Sequence, residues 1–297
     1  MQTLHEIRGL LKAASLTPLK QLGQNFLIDQ NLMAKLLTLA EPAGRNVLEV
    51  GPGTGSLTGE LLGVADRVVA VEIDRGLHKL LRDRFAEHVL QKNLVLIHGD
   101  VLTGKHAISA AVLAELRNAA HLVSNLPYNI ATPLLVECLL NSWRACRGDP
   151  ASCMFERLTF TVQRELADRL TAKPLTNDYG PVSVITALLG RCTLGPTVPP
   201  QAFWPRPKVP GRIVRIDFDS AAAERLKDAT ALQTVLSLAF GQRRKQIGSV
   251  IRRCDAVCSA GAFAAALEAA EIERTHRAEN VPPKKFLALA NALRLQT

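Results

Sequence analysis

A chain of 297 residues has room for one large α/β core and a smaller appendage. Its 36 Lys and Arg exceed 27 Asp and Glu to leave a net charge of +9, which favours a polyanionic partner. An apolar share of 47% with only 4% aromatic describes an aliphatic core, and no run reaches the ~18 apolar residues of a helical membrane span, so a soluble protein is expected.

The opening residues place Leu4, Ile7, Leu10, Leu11 and Ala14 on one helical face, with Arg8 and Lys12 opposite. Glu6 argues against an organellar transit peptide there. The segment Leu19 to Asp29 reads as too polar for core, and Leu32 to Leu39 as a second helix closed by Pro42. An apolar strand, Val47 to Val50, then feeds Gly51-Pro52-Gly53-Thr54-Gly55-Ser56 and a helix-compatible stretch to Leu62. Without Cβ atoms at Gly51, Gly53 and Gly55 the backbone can approach a ligand closely, and the helix that follows offers unpaired N–H groups and a positive dipole end. A purely structural strand-to-helix turn is the competing reading. Ser56 stands where a dinucleotide fingerprint needs glycine, which argues against a nicotinamide enzyme.

Strand and helix signals alternate from there: Val68 to Val71, a helix Leu77 to Phe85, Leu94 to Ile97, a helix Ile108 to Leu116, then Leu122 to Val123. This succession predicts an α/β fold with a mostly parallel sheet. Trp143 to Glu156, with Gly148, Asp149 and Pro150, reads as an exposed loop before a strand at Thr159 to Val162. Prolines cluster between Val198 and Pro210, and Ile213, Val214, Ile216 and Phe218 make a last strand. From Ala221 strand signals vanish, so the division expected is a catalytic domain over 1–219 and a small all-helical domain over 220–297. The six cysteines form no C-x-x-C pair and follow no secretory signal, so a reduced, cytoplasmic setting is expected. Cys254 and Cys258 lie one helical turn apart, yet no second pair completes a metal site, and none is expected.

Each parallel strand ends in a candidate ligand-binding residue at its carboxyl edge, where open α/β sheets bind their ligands. Glu72 lies 21 positions after Gly51, the placement of an acid that accepts ribose hydroxyls, or it is a solvated strand end. Asp100 can accept the amino group of an adenine ring or cap the next segment. Asn125 opens Asn125-Leu126-Pro127-Tyr128. An exocyclic adenine amine is a poor nucleophile because its lone pair is delocalised, and two acceptors aimed at its hydrogens would polarise it. The Asn125 side chain is one. Pro127 holds Leu126 extended so that its carbonyl can be the second, and Tyr128 offers a face for stacking a base taken out of its helix. A bare strand-to-turn junction is the alternative.

The sequence resembles the small-subunit ribosomal RNA adenine dimethyltransferases, S-adenosylmethionine-dependent enzymes acting on two adjacent adenines near the 3′ end of that RNA. The likeness runs almost end to end. It includes Leu22-Gly23-Gln24-Asn25-Phe26-Leu27, the glycine turn, Asn125-Leu126-Pro127-Tyr128-Asn129-Ile130, Val162-Gln163-Arg164-Glu165 and Asp178-Tyr179-Gly180. The resemblance implies a Rossmann-like methyltransferase domain and puts Asn25, Leu27, Gly51, Glu72, Asp100 and Asn125 on cofactor-binding positions, Asn125 being shared with catalysis. It implies also that Phe203, in Val198-Pro199-Pro200-Gln201-Ala202-Phe203, is a second stacking ring opposite Tyr128; a hydrophobic plug is the other reading. A sulfonium is already activated, so no metal or general base is required.

The same catalytic half occurs in large-subunit resistance methylases, but Gln242-Arg243-Arg244-Lys245, Arg277-Ala278-Glu279-Asn280 and Phe286 to Asn291 resemble the small-subunit enzymes. Pro210-Gly211 departs from the family's usual Ser-Ala. Gly241 to Arg253 carries Arg243, Arg244, Lys245, Arg252 and Arg253 and no acid. Read as a helix, it sets Arg244, Lys245 and Arg252 apart from a stripe of Leu236, Phe240, Ile247 and Ile251, which makes Arg243, Arg244 and Lys245 candidate rRNA backbone contacts or an ordinary solvated face. The expected partner is small-subunit rRNA within an assembly intermediate, bound by a monomer without a membrane. A non-catalytic RNA-binding assembly or transcription factor would not need the Asn125 to Tyr128 set.

Overall fold

The computed structural model describes residues 1–104, 106–117, 119–249 and 259–293. It divides into two compact units, Met1–Ala167 with Cys192–Phe218, and Asp168–Arg191 with Asp219–Thr297.

The first unit is built on seven strands: β1 (Asn46–Val50), β2 (Arg67–Glu72), β3 (Leu94–His98), β4 (Ala119–Asn125), β5 (Met154–Gln163), β6 (Gly190–Val198) and β7 (Gly211–Phe218). Their order across the sheet is β3-β2-β1-β4-β5-β7-β6. Pairing is parallel from β3 through β5, and β7 runs antiparallel to β5. The apolar runs at Val47, Leu48, Val68, Val69, Leu122 and Val123 are buried, as strands covered on both faces require. Four carboxyl ends, those of β3, β2, β1 and β4, therefore lie side by side, and they are the four edges that carry the proposed ligands.

Local chemistry fixes the helices that frame this edge. Asp29 caps the helix Gln30–Ala40 by accepting from Leu32 N at 3.0 Å. Asp74 caps Arg75–Arg84 by accepting from Gly76 N and Leu77 N at 2.8 and 3.1 Å. The helix Leu4–Ala13 buries Ile7 and Leu11 in a cluster with Phe26 and Leu77, and Gln2 reaches the glycine turn, where its amide donates to Thr54 O and accepts from Thr54 Oγ1. At the opposite edge, Glu41 ends the helix Gln30–Ala40 and pairs with both Arg157 of β5 and Arg215 of β7. Asp217 joins the same two arginines, and each arginine also donates to a carbonyl at that helix end, Ala40 or Leu39.

Three expectations need correction. The segment Trp143 to Glu156 is not one loop: the helix Ala131–Cys146 runs through its first residues, β5 begins at Met154, and only 147–153 connects them. Leu134, Leu135, Cys138 and Leu139 carry a buried helical stripe toward the disputed segment, and Ser142 is buried beside it. The polar reading of Leu19 to Asp29 missed that Phe26 and Leu27 are buried in a two-stranded ladder with Phe203–Trp204. Finally, Asp168–Arg191 belongs with the C-terminal helices, although the expected division placed it in the catalytic domain.

The reason lies in the second unit's packing. Tyr179 is fully buried, meets Phe240 edge-on at 5.9 Å, and donates its hydroxyl to Val281 O at 2.8 Å. Phe240 lies 5.6 Å from Phe286. The helix Pro181–Leu189 begins with proline at its first position and buries Val182, Val184, Ile185, Leu188 and Leu189. It packs with helices Ala229–Phe240 and Pro283–Ala292 in an aliphatic and aromatic core. Among the described residues no strand follows Phe218, as the composition predicts.

Candidate active site

β1 delivers the chain into Gly51, whose φ of +69° begins a turn that only glycine tolerates cheaply. A Cβ there would lie 3.2 Å from Pro127 Cγ, so the glycine turn and the Asn125-Leu126-Pro127-Tyr128 segment touch. A Cβ on Gly53, at φ +63°, would lie 2.7 Å from the Phe26 ring. Gly55 has a different role: a Cβ there would strike Phe85 and Leu81, and the residue lies outside the cavity wall.

One buried acid holds the turn and a second holds the helix that follows it. Glu72, 3% exposed, accepts from Gly53 N at 3.1 Å and from Asp74 N at 2.9 Å. Burial pushes its carboxyl up to about 7, against those two donors. Glu49 is 2% exposed and accepts from Thr58 Oγ1 at 2.7 Å. Burial pushes it up to about 8, and the Glu72 charge adds to the rise. Glu49 also lines the cavity, and the sequence reading missed it. Its signal was there, one carboxylate inside the otherwise apolar run Val47-Leu48-Glu49-Val50.

The cavity opens to solvent, and its empty space, mouth included, is about 1120 Å³. Asn25, Leu27, Gly51, Gly53, Glu72, Asp100, Asn125, Leu126, Pro127 and Tyr128 all line it, which brings together ten positions drawn from five separate stretches. Asp100 accepts from Leu102 N at 2.9 Å, so it serves as a turn cap while standing in the wall. Asn25 is placed by a bond from its amide to Gly23 O at 3.0 Å. Gln24 links the same segment to the Arg75–Arg84 helix by donating to Asp74 Oδ2 at 3.0 Å.

Asn125 sits at the end of β4 with its side chain fixed at both atoms. Its Nδ2 donates to Asn25 O at 2.8 Å, and its Oδ1 accepts from the Thr161 hydroxyl. Tyr128 has a buried hydroxyl without a hydrogen-bond partner among the described residues, and burial raises its pKa. Phe203 is 3% exposed, is the ladder partner of Leu27, and packs in the core cluster with Val198 and Ile213; it lies outside the cavity wall.

Arg243, Arg244 and Lys245 do not lie on a helix. Ala229–Phe240 ends at Gly241, and Gln242 to Lys245 form a turn. Arg243 is bound within this unit: it pairs with Glu279 at 2.9 Å and donates to Asn177 O at 2.6 Å and Thr176 O at 3.0 Å. Arg244 and Lys245 are exposed. Ile251, Arg252, Arg253, Cys254 and Cys258 lie outside the described residues. No described helix is long and apolar enough to cross a membrane.

Residues 17–295 match the family described as Ribosomal RNA adenine dimethylase. The Ribosomal RNA small subunit methyltransferase A of Phenylobacterium zucineum is 40% identical, covering 98% of this chain and 94% of that protein. The protein of the same name from Rhodospirillum rubrum is 37% identical, covering 98% and 93%. Among solved structures, the 23S rRNA methyltransferase ErmE matches with a TM-score of 0.57 at 27% identity, over 90% of this chain and 99% of its own. A dimethyladenosine transferase from Plasmodium falciparum shares the fold at a TM-score of 0.63 and 19% identity, over 89% and 95%. A profile match across nearly the whole length, together with relatives of this identity and coverage, places the chain in the ribosomal RNA adenine dimethylase family.

Proposed function

We propose that this enzyme transfers methyl groups from S-adenosylmethionine to the amino groups of two adjacent adenines near the 3′ end of small-subunit rRNA, acting as a cytoplasmic monomer on a ribosomal assembly intermediate. The observation that carries the reading is the fixed Asn125 amide, set at a strand edge in the cavity wall beside the glycine turn.

The cavity residues fit the cofactor. Gly51 and Gly53 leave a backbone cradle that side chains would fill, Glu72 and Asp100 supply acceptors suited to ribose and to an adenine amine, and two buried carboxyls suit a cationic ligand. When bound, S-adenosylmethionine supplies an electrophilic methyl group on its sulfonium. Asn125 Oδ1 and the Leu126 carbonyl accept from the substrate amine, Tyr128 stacks on the base, and the proton released after attack passes to water. Rate enhancement then comes from placement and preorganised polarity. Asn25 and Leu27 wall the cofactor, and Gly55 and Phe203 support the wall from behind, Phe203 through its ladder with Leu27. Arg244 and Lys245 contact the rRNA backbone, so that the catalytic unit selects the base and the helical unit the ribosomal location.

The likeness to a 23S rRNA methyltransferase structure favours a second reading, a large-subunit adenine methylase. Radiolabel transfer to undermodified small subunits and to large-subunit rRNA decides between them. We expect label on small-subunit adenines alone, and dimethyladenosine missing from that rRNA in cells lacking the protein. Persistence of both dimethyladenosines in such cells overturns the proposal.

A further inference from the structure

Thr161 lies on β5 directly across from Asn125 on β4, and it touches the reactive segment twice. Its hydroxyl donates to Asn125 Oδ1, and its carbonyl accepts from Leu126 N at 3.3 Å. The Asn125 side chain, one of the two proposed amine acceptors, and the Asn125–Leu126 peptide next to it thus both hang on one neighbouring residue that is fully buried.

A threonine in a strand needs no function, because β-branched side chains pack well there. The same strand supplies the comparison. Thr159, two positions earlier on the same face, is equally buried, and its hydroxyl has no partner among the described residues. At Thr159 the shape alone accounts for the residue, whereas the Thr161 hydroxyl meets a group in the cavity wall.

Asn25 O, an acceptor only, already selects which end of the Asn125 amide faces it. The Thr161 donor secures the other end. One lone-pair direction of Oδ1 is consumed by it, and the second is left at a fixed bearing for an incoming amine. Without the hydroxyl, the carbonyl end keeps no donor in this wall and the side chain swings about its single remaining bond.

We infer that Thr161 is a positioning residue for methyl transfer, aiming Asn125 Oδ1 through its hydroxyl. This rests on the proposed role of Asn125.

The test compares Thr161→Val, Thr161→Ser, Thr159→Val and Asn125→Ala in the full chain. In Thr161→Val kcat falls on the order of tenfold, as expected for a lost neutral hydrogen bond that acts on placement, while KM for S-adenosylmethionine and its calorimetric Kd stay within about twofold. Thr161→Ser restores kcat and Thr159→Val leaves it unchanged. A readout independent of turnover is the Asn125 side-chain amide in asparagine-labelled, ligand-free protein by NMR: its resonances shift in Thr161→Val and return in Thr161→Ser. If Asn125→Ala is crippled but Thr161→Val matches wild type in kcat and amide spectrum, the inference is wrong and the site assignment stands. If Thr161→Ser falls with Thr161→Val and both lose thermal stability, Thr161 is packing only and the inference is again wrong. A near-normal Asn125→Ala removes the site assignment and the Thr161 role with it.

Discussion

Two carboxyls beneath the glycine turn hold their protons unusually late, Glu72 to about 7 and Glu49 to about 8, because both are buried. Folded values above the ordinary 4.5 mean that the stability they contribute is fully present below that pH and is lost as pH rises through 7 to 8. The ligand-free protein should therefore melt at a lower temperature at pH 9 than at pH 6. A cationic ligand favours the ionised carboxylates, so S-adenosylmethionine should bind more tightly as pH rises from 6 to 8 and release protons on binding near pH 7. Calorimetry in buffers of different ionisation enthalpy reads that release, and identical heats in all buffers would refute it. Glu49→Gln should flatten the upper part of the profile. Of these two acids the sequence exposed Glu72 through its spacing from the glycines. Glu49 escaped because a lone acid in an apolar strand carries no motif. Thr161 was invisible for a related reason: its importance comes from a cross-strand partner 36 residues away.

The glycine turn was legible as an element because its spacing and its place after an apolar strand agree. Sequence alone did not reveal that its glycines serve different ends. Gly53→Ala adds a Cβ 2.7 Å from Phe26 at φ +63°, in the cavity wall, whereas Gly55→Ala adds one 2.5 Å from Phe85, away from it. A left-handed alanine costs about 1–2 kcal/mol in either place. Gly53→Ala should weaken S-adenosylmethionine binding roughly tenfold with a melting point a few degrees lower. Gly55→Ala should lower the melting point at least as much while binding stays within a few-fold of wild type. Isothermal titration beside a thermal melt separates the two, and equal binding losses would show that the turn acts as one rigid piece. The parallel strands β1 to β4 were readable from alternation. β6 and the helix Ala131–Cys146 were missed, the first because Gly190, Gly195 and Pro196 mask its pattern.

Across the molecule, the boundary near residue 219 was readable from composition, but the return of Asp168–Arg191 to the helical unit was not. That segment is recruited by Tyr179 and the helix Pro181–Leu189, contacts that join residues about a hundred positions apart in the chain. The basic run Arg243-Arg244-Lys245 likewise looked uniform. Arg243, tied to Glu279, Thr176 and Asn177, is a structural clamp of the helical unit, and Arg244 and Lys245 are the free-facing pair. Arg244→Ala with Lys245→Ala should lower the slope of log K against log salt for rRNA binding by roughly 0.7–0.9 per lost contact. Arg243→Ala should instead lower thermal stability and leave most of that slope in place. An unchanged slope in the double variant would move the rRNA contact elsewhere on the surface.

The network of Glu41, Arg157, Arg215 and Asp217 ties a helix end to β5 and β7 at the amino edge of the parallel strands, the far side of the sheet from the cavity. Part of the molecule's stability is thereby anchored on the rim that faces away from the cavity, so a lineage or a laboratory can adjust heat tolerance around Glu41 without replacing a residue that lines the cavity.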